Sequence, residues 1–297
     1  MPSLNLPEPG VRPRLPEWLR IRLPTTDSFA HTRALLDELR LHTVCQSARC
    51  PNHWECWSKG TATFMIGGDR CTRACGFCAV TTARPLALEV DEPVRVAEAT
   101  HRMRLKHVVI TSVARDDLAD GGAGHFRQTI EAVRALNPRT VIEVLTSDFN
   151  AQDASIESVL AAKPHIFNHN LETVRRLTPA VRSRATYDRS LSVLAKAKAG
   201  GTYVKSGLML GLGETEAEIL AAMADLRHSG CDILTLGQYL QPTVRHLPVT
   251  EYVAPETFAR YAVRAREIGF MRVASGPMVR SSYHAEECVL PSAMRLQ

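Results

Sequence analysis

Long apolar runs are missing from this chain: no stretch of its 297 residues approaches 18 uninterrupted apolar positions, so no segment reads as a membrane-spanning helix. The opening stretch, Met1 to Pro24, carries proline with scattered arginine and glutamate and has no apolar centre of the secretory kind. A cytoplasmic protein is the expectation. Low-complexity tracts, long polar linkers and short-period repeats are absent as well, which excludes fibrous and disordered classes. Aromatic residues make up only 6%, which argues against a nucleic-acid binder that works by stacking. Charge of neither sign dominates, since 36 Lys and Arg against 31 Asp and Glu leave +5. The distribution says more than the sum: Arg175, Arg176, Arg182, Arg184 and Arg189 fall close together with Asp188 the one acid among them. That cluster reads either as a solvated helical face or as a dock for an acidic partner.

A chain of this length buries roughly three quarters of its unfolded surface, so metal is not needed merely to hold a small fold together. Eight cysteines in a reducing compartment read as ligands or free thiols. Six form two triplets, Cys45, Cys50 and Cys56 (C-x4-C-x5-C), then Cys71, Cys75 and Cys78 (C-x3-C-x2-C). A structural zinc ion wants four ligands, usually as two close pairs, whereas cysteine runs of this density hold iron-sulfur clusters. Three thiolates ligate three irons of a four-iron cluster and leave the fourth for another ligand, which is where chemistry can happen. Cys231 and Cys288 stand alone and read as small buried hydrophobes.

Apolar runs with strand character cover Thr61 to Ile66, His107 to Val113, Thr140 to Thr146, His165 to Asn168, Tyr203 to Leu210 and Asp232 to Gly237. Amphipathic stretches alternate with them: Glu92 to Arg104, His125 to Leu136, Asp153 to Ala162, Asp188 to Ala199, Glu214 to His228 and Pro255 to Ile268. Six β/α units in tandem imply a parallel sheet. Two units are lacking for a closed eight-stranded barrel, so the expectation is an α/β fold with an incomplete (β/α)6, TIM-like barrel. Its working face lies at the carboxyl ends of the strands. Residues 1–60 then form an N-terminal extension with the first triplet, 61–270 the partial barrel, and 271–297 a C-terminal segment.

C-x3-C-x2-C directly after a strand, here CTRACGFC, resembles the radical SAM superfamily. The further motifs CQSARCPNHWECW, TSVARDDLADGG, IFNHNLETV, KSGLMLGLGETEAEI, LGQYLQPT and VASGPMVRSSYHA resemble the lipoyl synthase family over roughly residues 12–286. Gly76, Ala79, Ala83 and Ala114 depart from its pattern, where Pro, Asp, Gly and Asp are expected, without removing a ligand. The resemblance implies insertion of two sulfur atoms, at carbons 6 and 8 of an octanoyl chain amide-linked to a lysine of a lipoyl carrier domain, with two S-adenosylmethionine (SAM) molecules consumed. It implies two [4Fe-4S] clusters: a radical-generating one on Cys71, Cys75 and Cys78 that binds SAM, and an auxiliary one on Cys45, Cys50 and Cys56 that gives up its sulfides. A serine of Arg280-Ser281-Ser282-Tyr283 completes the auxiliary site, carried onto Ser282 with Ser281 as fallback; the bland reading of Ser282 is a cap for a helix over His284 to Cys288. Gly207, Gly211 and Gly213 are expected against the adenosyl part of SAM. Asn168, Asn170 and Glu172, beside His169, are expected to position SAM and substrate, and Arg115, Asp116 and Asp117 to make ion pairs or polar contact with SAM. Implied partners are octanoylated lipoyl carrier domains (the glycine cleavage H protein and 2-oxoacid dehydrogenase E2 subunits), an electron donor such as flavodoxin or ferredoxin, and a cluster-delivery protein. Rival readings are another radical SAM sulfur-inserting enzyme and a zinc-stabilised, basic nucleic-acid-binding module.

Overall fold

A computed structural model describes residues 14–20, 27–283 and 285; Cys288 and the helix expected over His284 to Cys288 lie outside them. Three helices, α1 (Asp27–Glu38), α2 (Val44–Ser47) and α3 (His53–Ser58), precede strand β1 (Thr63–Ile66). A two-residue ladder, β2 (Arg70–Cys71) with β3 (Thr81–Thr82), follows. The chain then alternates: α4 (Glu92–Arg102), β4 (His107–Ser112), α5 (Ala123–Leu136), β5 (Val141–Leu145), α6 (Asp153–Ala161), β6 (Ile166–Asn168), the short α7 (Thr178–Val181), α8 (Tyr187–Ala199), β7 (Tyr203–Leu210), α9 (Glu216–His228), β8 (Ile233–Gln238), α10 (Pro255–Ile268) and β9 (Arg272–Gly276). One parallel sheet runs β1-β4-β5-β6-β7-β8-β9, the partial-barrel order that the β/α alternation implies.

All six expected strands form, and a seventh, β9, pairs in parallel with β8. It escaped the sequence reading because Arg272–Gly276 is a half-buried edge strand with no apolar run. Helix α9 starts two residues later than expected because Thr215 and Glu218 close a capping box there.

Strand alternation sorts the sheet into two faces. Phe64, Ile66, Val108, Ile110, Ile142, Val144, Phe167, Val204, Leu234 and Leu236 point outward into one apolar cluster with Val96, Phe126, Ile130, Val193, Met223 and Phe258 of the covering helices. The other face mixes apolar residues such as Val109, Ile166 and Ile233 with buried polar ones. There Glu143, Asn168 and Lys205 are each 0% exposed. Lys205 Nζ lies 2.9 and 3.1 Å from the Glu143 carboxylate oxygens, Asn168 Nδ2 donates to Glu143 Oε1 at 3.0 Å, and His107 Nε2 lies 3.2 Å from Oε2. Burial pushes the Glu143 carboxyl up, but the charge of Lys205 and the contact with His107 outweigh it and hold the group at about 2, against an ordinary 4.5.

Lys205→Met should therefore cost about 3–5 kcal/mol, since it strands a buried carboxylate, whereas Lys205→Met with Glu143→Leu should recover most of the loss. Because the folded-state value is depressed, the stability from Glu143 is complete above about pH 4.5 and drains as pH falls toward about 2. Denaturant midpoints of the metal-free chain across that window check both statements: the double variant should lose less stability on acidification than the parent.

The sheet does not close. Beside the free edge of β1 the N-terminal extension supplies a bridge, Thr43 to Phe64, with Met65 N donating to His42 O at 2.9 Å. Across the seam, Asn52 Nδ2 donates to Met278 O at 2.7 Å and Tyr283 Oη to Glu55 Oε2 at 2.9 Å. Leu36, Leu41, Cys45 and Trp57 share the apolar cluster of the strands, so the extension packs as part of the same core.

Candidate active site

Gly67 and Gly68 leave β1 at φ 78° and 92°, a left-handed turn that glycine makes without cost and that throws the next segment over the strand ends. The β2–β3 ladder and the bond from Ala83 N to Cys71 O (3.2 Å) then pin both ends of the loop with Cys71, Cys75 and Cys78. Gly76 N donates to Val181 O (3.0 Å), Leu247 N donates to Gly76 O (2.9 Å) and Ala74 N donates to Ser183 Oγ (3.1 Å). His246 Nε2 lies 2.9 Å from Cys78 O. A Cβ at position 76 would stand 2.9 Å from Leu247 Cγ, which gives the departure at Gly76 a packing reason. The Cys78 thiol is pushed up to about 12, first by burial and then by Cys75, Cys71 and Glu172.

Cys45 lies in α2, capped by Thr43, and Cys56 in α3. The turn between them, with Arg49 at φ 52°, brings Cys50 N onto Cys45 O at 3.0 Å. Burial and then the neighbouring Cys50 push Cys45 to about 11; burial, Cys45, Cys50 and Glu55 push Cys56 to about 12. Burial raises Cys50 too, opposed by the charge of Arg280. All six thiols are free. The thiols of each triplet are electrostatic neighbours, although among the described residues no three Cys, His, Asp or Glu side chains stand together in metal-holding geometry.

The C-terminal segment meets the barrel where only glycine fits. A Cβ on Gly237 would stand 2.0 Å from Val279 O and 3.3 Å from Arg280 Nη1. Ser281 Oγ accepts from Asn170 Nδ2 at 2.6 Å. Beneath that pair lies Gly207, whose Cβ would meet Thr235 Oγ1 at 2.5 Å and Asn170 Oδ1 at 3.0 Å. Asn170 in turn bonds Glu172, which turns at φ 71° and whose buried carboxyl is pushed upward, with Arg182 opposing. The C-terminal segment therefore touches the barrel at Asn170 and Gly237 and, through Met278 and Tyr283, the N-terminal extension at Asn52 and Glu55. Among the described residues, the Oδ1 atoms of Asn168 and Asn170 are buried acceptors without a donor, which suits a ligand that brings an ammonium group.

Other expected residues have structural partners. Arg115, 3% exposed, grips Asp117 at 2.9 and 2.8 Å and donates to Gly67 O at 3.0 Å; it braces the turn after β1. Gly211 and Gly213 adopt φ 101° and 102°, and a Cβ on Gly211 would lie 2.3 Å from Gln238 Nε2 and Glu251 O. His169 is a satisfied core residue, 2.9 Å from both Thr146 O and Ser190 Oγ and lowered to about 4 by burial and by Arg182. Cys231 is fully buried, as read from the sequence.

The five arginines do not form one face. Arg175 pairs with Asp188 (2.7 Å) and stacks on Tyr187, Arg176 pairs with Glu218 (2.7 Å), and Arg182 is buried against Ser190 Oγ (2.6 Å). Arg184 and Arg189 reach Asp116 (3.7 Å) and Asp148 (3.3 Å). A cationic dock built from all five is therefore ruled out by the burial of Arg182 and the pairing of the rest. Unanticipated residues around the Cys71–Cys78 loop are Ser183, His246 and Leu247; the last two follow the LGQYLQPT motif, whose sequence gave no hint that it reaches back to the cysteine loop.

The family model of the radical SAM superfamily matches residues 65–226, and that of the N-terminal domain of lipoyl synthase matches residues 3–50. The chain is 55% identical to lipoyl synthase of Thermus thermophilus over 97% of its length and 90% of that protein. It is 54% identical to those of Bacteroides thetaiotaomicron (93% and 98%) and Chlorobium limicola (94% and 96%). Among solved structures, SuiB of Streptococcus suis bound to its precursor peptide SuiA matches with a TM-score of 0.57 at 13% identity, over 77% of this chain and 51% of that one. HydG, a maturase of the [FeFe]-hydrogenase, matches at 0.55 and 14% (91% and 65%), and methylornithine synthase PylB at 0.53 and 13% (86% and 84%). At such identities these structures speak for the fold alone.

Proposed function

The chain belongs to the lipoyl synthase family of radical SAM enzymes, and from that premise we propose that it inserts two sulfur atoms, at carbons 6 and 8, into the octanoyl chain of an octanoyl-lysine on a lipoyl carrier protein. The observation that carries this reading is the pair of free thiol triplets in a chain 54–55% identical to lipoyl synthases, with the C-terminal segment bridging the barrel (Ser281 to Asn170) and the N-terminal extension (Met278 to Asn52, Tyr283 to Glu55). Cys71, Cys75 and Cys78 would hold a cluster that, with SAM bound, would supply the one-electron chemistry that makes unactivated C–H bonds reactive. Cys45, Cys50, Cys56 and Ser282 would hold the auxiliary cluster as sulfur donor.

The remaining roles belong to the chain itself. The Asn168 and Asn170 carbonyl oxygens accept from the SAM ammonium, and Glu172 adds a carboxyl beside them. Bare backbone at Gly207 lets Thr235 and Asn170 pack closely at the floor of the mouth, while Gly211 and Gly213 turn the chain beside the adenosyl group. The apolar patch of Ile166 and Ile233 with Tyr203 and Ala274 closes the interior below, keeping water from a radical reaction. Residues 1–60 and 271–297 serve the auxiliary site and 61–270 the radical chemistry. H protein and E2 lipoyl domains are the proposed carriers, flavodoxin or ferredoxin the electron donor, and a cluster-delivery protein a further partner. No helix among the described residues is long and apolar enough to cross a membrane, and we assign the enzyme to the cytoplasm.

Anaerobic incubation with SAM, reductant and an octanoyl-lysyl peptide, followed by mass analysis, tests the reading: two sulfurs should replace two hydrogens. A product with one sulfur only would favour a different radical SAM sulfur-inserting enzyme. Ser282 is preferred over Ser281 because the Ser281 hydroxyl is already engaged by Asn170. Ser282→Ala should leave SAM cleavage intact and cut lipoyl product sharply; Ser282→Cys should hold the cluster but turn over poorly, because thiolate is the softer ligand and leaves iron less readily. Full activity in both would move the role to Ser281.

A further inference from the structure

Directly after β5, the consecutive residues Phe149, Asn150 and Ala151 have φ of 45°, 51° and 56°. L side chains adopt this left-handed conformation only at a cost, and as single residues rather than in runs. Strain of this kind persists where surrounding contacts over-determine it, and it gathers at functional sites. Here the turn delivers one side chain. Asn150 Oδ1 accepts from Arg73 Nη2 (3.2 Å) and Arg189 Nη1 (3.4 Å), and Asn150 Nδ2 donates to Asp116 Oδ1 (3.3 Å). Asp148, its side chain fully buried, accepts from Asn150 N at 3.2 Å and stands 2.7 Å from Arg73 Nη2. Asp116 takes the Nε–Nη2 edge of the guanidinium at 2.9 and 2.7 Å, sharing Nη2 with Asp148 and Asn150, and accepts from Thr72 Oγ1 at 2.9 Å.

These contacts converge on Thr72 and Arg73, the two residues that follow Cys71 in the C-x3-C-x2-C loop. Arg73 N–H donates to Cys71 Sγ at 3.4 Å. Hydrogen bonds to ligating sulfur stabilise the more negative, reduced form of an iron-sulfur cluster, and groups behind the ligands fix their orientation. We propose that Asp148 and Asn150 are positioning residues for the radical-generating site: acting through Arg73, they hold the Cys71 sulfur and the N–H aimed at it, and so set how readily the bound cluster is reduced. This inference rests on Cys71 as a cluster ligand.

The test uses the full chain carrying Cys45→Ala, Cys50→Ala and Cys56→Ala, so that a single cluster reports. Asn150→Gly relieves the left-handed strain and removes the clamp. It should keep the iron content and folded stability of its parent, yet show about tenfold less reduced cluster at a fixed potential, equal to about 59 mV for one electron. SAM cleavage kcat should fall with the SAM KM little changed. Asn150→Ala, which removes the same amide without changing charge, should shift the reduction equilibrium the same way and serves if Asn150→Gly fails to load iron. Unchanged potential and unchanged kcat in whichever variants load iron overturn the proposal, and so does failure of both to load iron. Cys71→Ala separates the premise: if it keeps the full iron content and SAM cleavage, the ligand assignment itself fails, whereas a null result in the clamp variants leaves that assignment standing.

Discussion

Cys75→Ala should abolish reductive SAM cleavage and with it every trace of lipoyl product, while iron at the auxiliary site stays. Two thiolates cannot fix a four-iron cluster so that its remaining iron is presented to SAM, and the neighbours of Cys75 offer no substitute. Ser183 Oγ lies 3.9 Å from Cys75 Sγ and already accepts from Ala74 N. Bound iron should fall by about four per chain, the complement of one cubane cluster. The fold should survive, because the loop is tied down through backbone groups of Ala74, Gly76 and Cys78 that the substitution leaves alone. Assays of 5′-deoxyadenosine and of iron check this; a normal rate of 5′-deoxyadenosine formation would show that the two triplets have been assigned the wrong way round.

Cys50→Ala should give the complementary phenotype. Cys50 is the thiol nearest in charge to Arg280, so its loss removes one cluster ligand and the group that balances that guanidinium. SAM cleavage should continue, iron should again fall by about four, and no sulfur should enter the octanoyl chain. Retained sulfur insertion would rule out the auxiliary triplet as donor. The contrast between the variants, one silent in both steps and one silent only in the second, separates hydrogen abstraction from sulfur transfer.

Much of this architecture was legible in the residues. Short apolar runs marked six strands, because strands of a parallel sheet are buried on both faces, and the placement of CTRACGFC just after the first of them put a thiol triplet at the expected mouth. What escaped had physical reasons for being silent. β9 is a half-buried edge strand of small residues, and it needs its neighbour β8 to be a strand at all. The arginine cluster looked continuous in sequence, yet the turn after α7 sends Arg182 inward to Ser190 and Arg184 outward toward Asp116. Glycines read as ligand contacts at Gly207 and Gly211 are also demanded by side-chain and backbone atoms within 2.5 Å of where a Cβ would stand. The clamp of Asp148 and Asn150 on Arg73 joins residues 75 to 77 positions apart, and no local pattern announces such a contact.

The central claim, that the Cys45, Cys50 and Cys56 site is the source of the inserted sulfur, is tested most directly by isotope. The enzyme is reconstituted with heavy-isotope sulfide, freed of unbound sulfide, and turned over once with SAM and an octanoyl-lysyl peptide in buffer that contains ordinary sulfide. Both sulfurs of the first-turnover lipoyl product should carry the heavy isotope, and the Cys50→Ala enzyme treated identically should yield none. Lipoyl product bearing only ordinary sulfur would contradict the account.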